Sequence, residues 1–140
     1  MMDVTEKAVE KRIELDAPPE RVWRAITDPA ELSRWFGDSA ELDLRPGGDG
    51  HMTWEKHGRF AVRVEVVEPP GHLVWSWMHE PGAAFQEAIA TRVEWTLSPR
   101  EGGGTVLELR ETGFREPAHY DANTTGWDQE LEELRVLLAG

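Results

Sequence analysis

The sequence predicts an α+β fold: a curved seven-stranded antiparallel sheet wrapped round a long C-terminal helix, with two short helices after the first strand. Three observations predict it. Between Ala40 and Leu109 apolar and charged residues alternate in short runs, the period of strands with one buried face. Turns rich in Gly and Pro join those runs and leave no room for crossover helices, so neighbouring strands run antiparallel. From Trp127 onward the period changes. Trp127, Leu131, Leu134 and Leu138 fall at i, i+4, i+7 and i+11, one stripe of a helix.

Each element has its own reason. Val9, Ile13 and Leu15 share one face of a first strand, and Glu10, Arg12 and Glu14 the other. Pro18-Pro19 stops it. Val22 and Ile26, four apart with Trp23 and Ala25 beside them, give a short helix. Asp28 caps a second, with Pro29 at its first position and Glu31 completing a capping box; it ends near Trp35-Phe36-Gly37. Ala40, Leu42 and Leu44 then oppose Glu41, Asp43 and Arg45, and residues Pro46 to Gly50 turn the chain. Met52 and Trp54 alternate with Thr53 and Glu55 up to Gly58. Phe60, Val62, Val64 and Val66 make the next stripe. Pro69-Pro70-Gly71 turns again, and Leu73, Trp75 and Trp77 follow. Beyond the loop from Glu80 to Glu87, Ile89, Val93, Trp95 and Leu97 oppose Arg92 and Glu94. Gly102-Gly103-Gly104 is a hairpin turn into Leu107 and Leu109, which oppose Glu108 and Arg110. On the last helix Asp128, Glu130, Glu132 and Glu133 are expected to face water.

Composition narrows the function. Residues 1–140 are expected to form one domain, because such units usually hold about 100–200 residues. Acids outnumber bases 27 to 15, a net charge of −12 that repels phosphate backbones and anionic membranes. Nucleic acid and membrane are therefore not expected partners. The absence of cysteine excludes disulfides, thiolate catalysis and thiolate-bound zinc. No apolar run is long enough to span a bilayer. The start, Met1-Met2-Asp3-Val4-Thr5-Glu6, lacks a basic region followed by an apolar one. A cytoplasmic protein is expected, in which the Asn123-Thr124-Thr125 sequon carries no meaning. No nucleophile elbow, dinucleotide fingerprint or phosphate loop occurs, so no cofactor is expected. His51, His57, His72, His79 and His119 show no ligand spacing, so neither is a metal.

One apolar sheet face set against one long helix leaves a cavity. Seven tryptophans bear on it. Trp54, Trp75, Trp77 and Trp95, on strand stripes, either fill that space or wall it for a flat ligand. Trp35, Phe60, Val93, Trp127 and Leu131 complete the candidate lining. By alternation His79 continues the stripe of Trp75 and Trp77, and Glu111 that of Leu107 and Leu109, with Thr91 on the strand between. On consecutive antiparallel strands these three meet at one end of the apolar face. There they could orient a polar ligand atom or exchange a proton with it.

Several segments carry a resemblance to a known family. They are Asp16-Ala17-Pro18-Pro19-Glu20-Arg21-Val22-Trp23, Trp35-Phe36, Val66-Val67-Glu68-Pro69-Pro70-Gly71-His72-Leu73-Val74, Gly103-Gly104-Thr105, Gly113-Phe114, and Gly126-Trp127 followed by Leu131 and Leu134. In this order they resemble the START-like (SRPBCC) superfamily, and within it the family named after the activator of heat-shock protein 90 ATPase. The resemblance implies the helix-grip fold and a hydrophobic pocket. It supports a carrier or sensor of a small hydrophobic or aromatic molecule, admitted by movement of the helix around Gly126 and the loop from Glu80 to Glu87. Relatives in the superfamily also imply a cyclase- or hydrolase-type enzyme, for which His79 and Glu111 are the candidate catalytic pair. The family name implies a regulator with a chaperone partner, which needs an exposed patch where this sheet reads as alternating Arg and Glu. An edge strand could pair two copies as a homodimer.

Overall fold

The computed structural model describes residues 3–139. Met1 and Met2, with which the reading of the chain start begins, and Gly140 lie outside them. After one 3₁₀ turn at Val4–Glu6 come β1 (Val9–Leu15), α1 (Pro19–Thr27) and α2 (Pro29–Trp35). Six strands follow: β2 (Ser39–Leu42), β3 (Asp49–Trp54), β4 (Gly58–Glu68), β5 (His72–Trp77), β6 (Thr91–Arg100) and β7 (Gly104–Thr112). The long helix α3 (Pro117–Ala139) closes the chain. The strands lie in the order β1-β7-β6-β5-β4-β3-β2, every pair antiparallel. The six later strands form a meander, and β1 adds to its far side beside β7. The expected fold class is the observed one.

Local chemistry explains the elements, including four that depart from expectation. Asp28 accepts from the Ala30 N–H at 3.0 Å, with Pro29 at the first helical position. Glu31 completes no capping box, because the Asp28 N–H is already spent on the Arg24 carbonyl that closes α1. Glu31 instead meets Arg21 at 3.2 Å and Arg24 at 3.5 Å. Leu44 lies past the end of β2 and is exposed, because the chain leaves the sheet there to make its turn. A β-bulge between Val64 and Val66 shifts the register, so Val67 rather than Val66 packs against the core opposite Leu73. Ile89 sits in the loop before β6 and is exposed. The inward stripe of β6 starts at Thr91.

The helix α3 begins ten residues before the apolar stripe that announces it. Its first turns, with Asp121, Asn123, Thr124, Thr125 and Gly126, have poor intrinsic propensity. Tertiary contacts hold them: Tyr120 lies edge-on to Phe114 at 5.5 Å, and Asn123 bonds to the sheet. The core lies between the sheet and α3. Val22, Ala25 and Ile26 of α1 and Leu32 and Trp35 of α2 plug one end. The Trp35 indole N–H donates to the Ala25 carbonyl at 2.8 Å, which fixes α2 on α1. No helix among the described residues is long and apolar enough to cross a membrane.

Candidate functional site

The buried end of the sheet is organised by one carboxylate. Glu111 of β7 points inward beneath α3 and has no exposed surface. Four donors reach its two oxygens. Oε2 accepts from the Trp77 indole N–H at 2.8 Å and from the Thr91 hydroxyl at 2.5 Å. Oε1 accepts from the Asn123 amide and the Trp127 indole N–H, each at 2.8 Å. Both oxygens are saturated by donors, the arrangement an acceptor-only carboxylate takes when buried. The four donors come from β5, β6 and α3, so Glu111 clips the helix onto the sheet.

Thr91 extends the chain of bonds to His79, just past β5. The Thr91 hydroxyl has one proton and gives it to Glu111. The 2.6 Å contact between His79 Nε2 and Thr91 Oγ1 is therefore donated by His79. The His79 ring carries its proton on Nε2 and a lone pair on Nδ1. Burial pushes its pKa below the ordinary histidine range; Glu111, 3.6 Å from Nε2, opposes this, and His119 adds to it. His119 stacks on His79 with ring centroids 5.0 Å apart.

Next to this cluster lies a cavity of about 460 Å³ between the outer ends of β3, β4 and β5 and the first half of α3. Its floor is aromatic. Phe36 stacks on Trp77 at 5.7 Å and on Trp127 at 5.4 Å. Trp54 meets Phe36 edge-on at 5.0 Å and Phe60 at 5.8 Å. Its polar lining is made by His57, His79, His119, Asn123, Gln129 and Glu130. Glu130 Oε1 accepts from the Trp54 indole N–H at 3.4 Å. Its Oε2 is shielded from water and has no hydrogen-bond partner among the described residues. Burial, with smaller contributions from Glu133 and Asp38, raises the Glu130 carboxyl to about 7, and the Trp54 bond opposes them.

The structure separates the candidate lining into three groups. Trp54, Phe60, Trp77, His79 and Trp127 wall the cavity. Thr91 and Glu111 stand behind that wall and hold it. Trp35, Trp75, Val93, Trp95 and Leu131 are core side chains that do not reach the cavity. Tryptophan thus does both jobs: Trp75 and Trp95, 5.5 Å apart, fill space, while Trp54, Trp77 and Trp127 line it. His79 and Glu111 do come together, but Glu111 lies away from the cavity surface.

Sequence reasoning missed Phe36, His119, Asn123 and Glu130 as wall residues. Glu130 was expected to face water, yet it is partly buried against Trp54. Its position three residues after Trp127 and one before Leu131 is a signal that could have found it. Asn123, first residue of the Asn123-Thr124-Thr125 sequon, gives its amide to Glu111. No sequence periodicity points to His119 or Asn123. Among the described residues no group of three or more His, Asp or Glu is placed to hold a metal ion. A second hollow, of about 410 Å³, opens on the sheet near β1, β6 and β7 and is lined by charged side chains such as Glu10, Arg12, Glu94 and Arg110.

Comparison with known proteins places the fold. No curated protein matches the chain. Among solved structures, protein MLL2253 from Mesorhizobium loti is 28% identical, with a TM-score of 0.83 over 95% of this chain and 97% of that one. CalU16 from Micromonospora echinospora is 31% identical, with a TM-score of 0.74 over 94% of this chain and 75% of that one. PFC0360w, an HSP90 activator from Plasmodium falciparum, is 22% identical, with a TM-score of 0.77 over 94% of this chain and 96% of that one. At that identity the likeness is one of fold alone. The family model described as Activator of Hsp90 ATPase homolog 1-like protein matches residues 16–139. With that match over nearly its whole length, on the helix-grip architecture described above, the chain belongs to the Activator of Hsp90 ATPase homolog 1-like family.

Proposed function

We propose that this protein binds a small, flat, largely apolar molecule in the cavity between the sheet and α3, as a carrier or sensor. One observation carries the reading: the cavity is walled by aromatic rings whose polar N–H groups are tied up elsewhere. Trp77 and Trp127 both turn their N–H groups toward Glu111, and Trp54 turns its own toward Glu130. Phe36 stacks on Trp77 and Trp127, which also stack on each other, and the ring carbon they leave open faces the cavity with Trp54 and Phe60. The volume of about 460 Å³ falls within the roughly 300–1,000 Å³ usual for small-molecule sites. In such a site apolar area gives affinity and a few polar groups set orientation. The cluster His79, Thr91 and Glu111 acts in this reading as a positioning device. A saturated carboxylate set behind the wall holds rings in place and offers no free oxygen to a reacting atom, which argues against a proton-exchanging pair. The native mass spectrum of protein purified gently from its own host tests the reading. The expected result is a discrete extra mass that disappears on denaturation. A bare mass, together with no binding of naphthalene-sized aromatics to the apo protein, would overturn it.

A further inference from the structure

The cavity is well supplied with acceptors and poor in donors. Its lining includes no Lys or Arg. The indole donors of Trp77 and Trp127 and an Asn123 N–H are spent on Glu111, and the Trp54 donor on Glu130. A ligand carboxylate would find the His57 and His119 edges, the second Asn123 N–H and the exposed Gln129 amide. The unmet group is instead Glu130 Oε2, turned away from water and without a partner among the described residues. Asp38, beside the start of β2, and Glu133, one turn along α3, add negative charge around it. Trp54, only partly buried at the cavity, adds an electron-rich π-system that attracts cations. A chain of net charge −12 further draws cations towards it.

We propose that the ligand class of this cavity is an aromatic or polycyclic amine whose ammonium group pairs with the Glu130 carboxylate, that side chain turning its shielded Oε2 into the cavity, while its ring packs against Trp54 and Phe60 beside the open edges of Trp77 and Trp127. This rests on the cavity-binding reading and narrows it. The cation supplies the donor that Oε2 lacks and offsets the repulsion from Asp38 and Glu133. Glu130 then acts as the selector for charge, and Glu111, behind the wall, as the holder of shape.

The proton balance gives the inference a pH signature. Binding of the ammonium requires the Glu130 carboxylate, and its pKa of about 7 leaves it largely protonated at pH 6 and largely ionised at pH 8. Affinity for an amine should therefore rise roughly tenfold between those values, with proton release on binding near neutrality. The other titratable groups facing the cavity are His57 on the β3–β4 turn, His79 after β5 and His119 on α3. Protonated histidines repel a cation and so push in the same direction, which makes the Glu130→Gln variant the deciding comparison. That variant keeps an acceptor for the Trp54 N–H.

The test measures binding of three probes that share one ring, 1-naphthylmethylamine, 1-naphthalenemethanol and 1-naphthoate, by titration calorimetry. It uses the full chain, Glu130→Gln, and Glu132→Gln on the exposed side of α3 as a control for net charge. The amine should bind on the order of tenfold more tightly than the alcohol, as expected for a hydrogen bond to a charged group, and the carboxylate most weakly. Glu130→Gln should abolish that preference and flatten most of the pH dependence, leaving the alcohol within about twofold. Glu132→Gln should change neither. Equal binding of amine and alcohol, or an amine preference that survives Glu130→Gln, overturns the inference and leaves the cavity reading standing. Failure of all three probes to bind overturns both.

Discussion

Replacing Glu111 with Gln should cost about 3 kcal/mol of stability, and the estimate follows from counting donors. The carboxylate accepts from Trp77 and Thr91 on one oxygen and from Asn123 and Trp127 on the other. Glutamine has one acceptor oxygen and one NH₂, so two of those donors must face another donor. Thr91 can adapt by rotating its hydroxyl, and Asn123 by flipping its amide. An indole cannot adapt, because its nitrogen is a donor only. Each oxygen of Glu111 serves one indole, so either orientation of the new amide strands Trp77 or Trp127. The loss is one hydrogen bond to a charged group plus one buried unpaired N–H, each worth roughly 1.5–3 kcal/mol, partly recovered by relaxation. For a chain of this size that is a fall in Tm of roughly 10 °C. Urea unfolding followed by tryptophan fluorescence measures it, with the indole N–H resonances of Trp77 and Trp127 as a site-specific check. A loss under about 1 kcal/mol with an unchanged m-value, or indole resonances that do not move, would refute the clip.

Other consequences follow from the same contacts. Glu130 has a folded pKa of about 7 against an ordinary 4.5, so the folded state holds the extra proton between these values. Stability therefore falls as pH rises from 4.5 to 7 and levels off above, and Glu130→Gln should remove that slope in denaturant melts at stepped pH. His79 runs the other way: its pKa is lowered from 6.5 by burial, so its share of stability is present above pH 6.5 and is lost as pH falls below it. Its ring resonances should still report the neutral form at pH 6.5, where a free histidine is half protonated. Gly37 has φ of +74°, and an added Cβ would lie 2.8 Å from the Thr53 carbonyl oxygen and 3.0 Å from the Trp54 ring. Gly37→Ala should cost about 2–3 kcal/mol in denaturant unfolding, combining left-handed strain with the contact. It should also weaken probe binding by displacing Trp54. Leu134→Ala, fully buried on α3, should cost about 3 kcal/mol, whereas Val136→Ala on the exposed side should stay within about 0.5 kcal/mol.

How much of this was legible in the sequence depends on how far apart the interacting residues lie. Period-two alternation located all seven strands, because side-chain direction in a strand is set by the backbone alone. It erred where the backbone changes register: the bulge at Val64 to Val66 moved Val67 inward, and nothing in a run of valines marks such a shift. The meeting of His79, Thr91 and Glu111 was also legible, since parity on three neighbouring strands suffices to bring them to one end of a face. What parity could not say is what else arrives there. Asn123 and Trp127 come from a helix whose rotation over the sheet is fixed by the very bonds they make to Glu111. Only with that rotation known do the four donors that fill both oxygens of Glu111 become visible. Glu130 fails for a related reason. The acidic run Asp128 to Glu133 reads as one solvated face, yet Glu130 shares the flank of Trp127, Leu131 and Leu134, and helical spacing places it at the boundary where burial is decided by the partner. Here the partner is Trp54, which brings an indole N–H to its Oε1 and leaves Oε2 shielded and unmatched. A carboxyl in that position costs stability unless something pairs with it. The residue that the composition pattern assigned to water is therefore the one on which ligand charge would register.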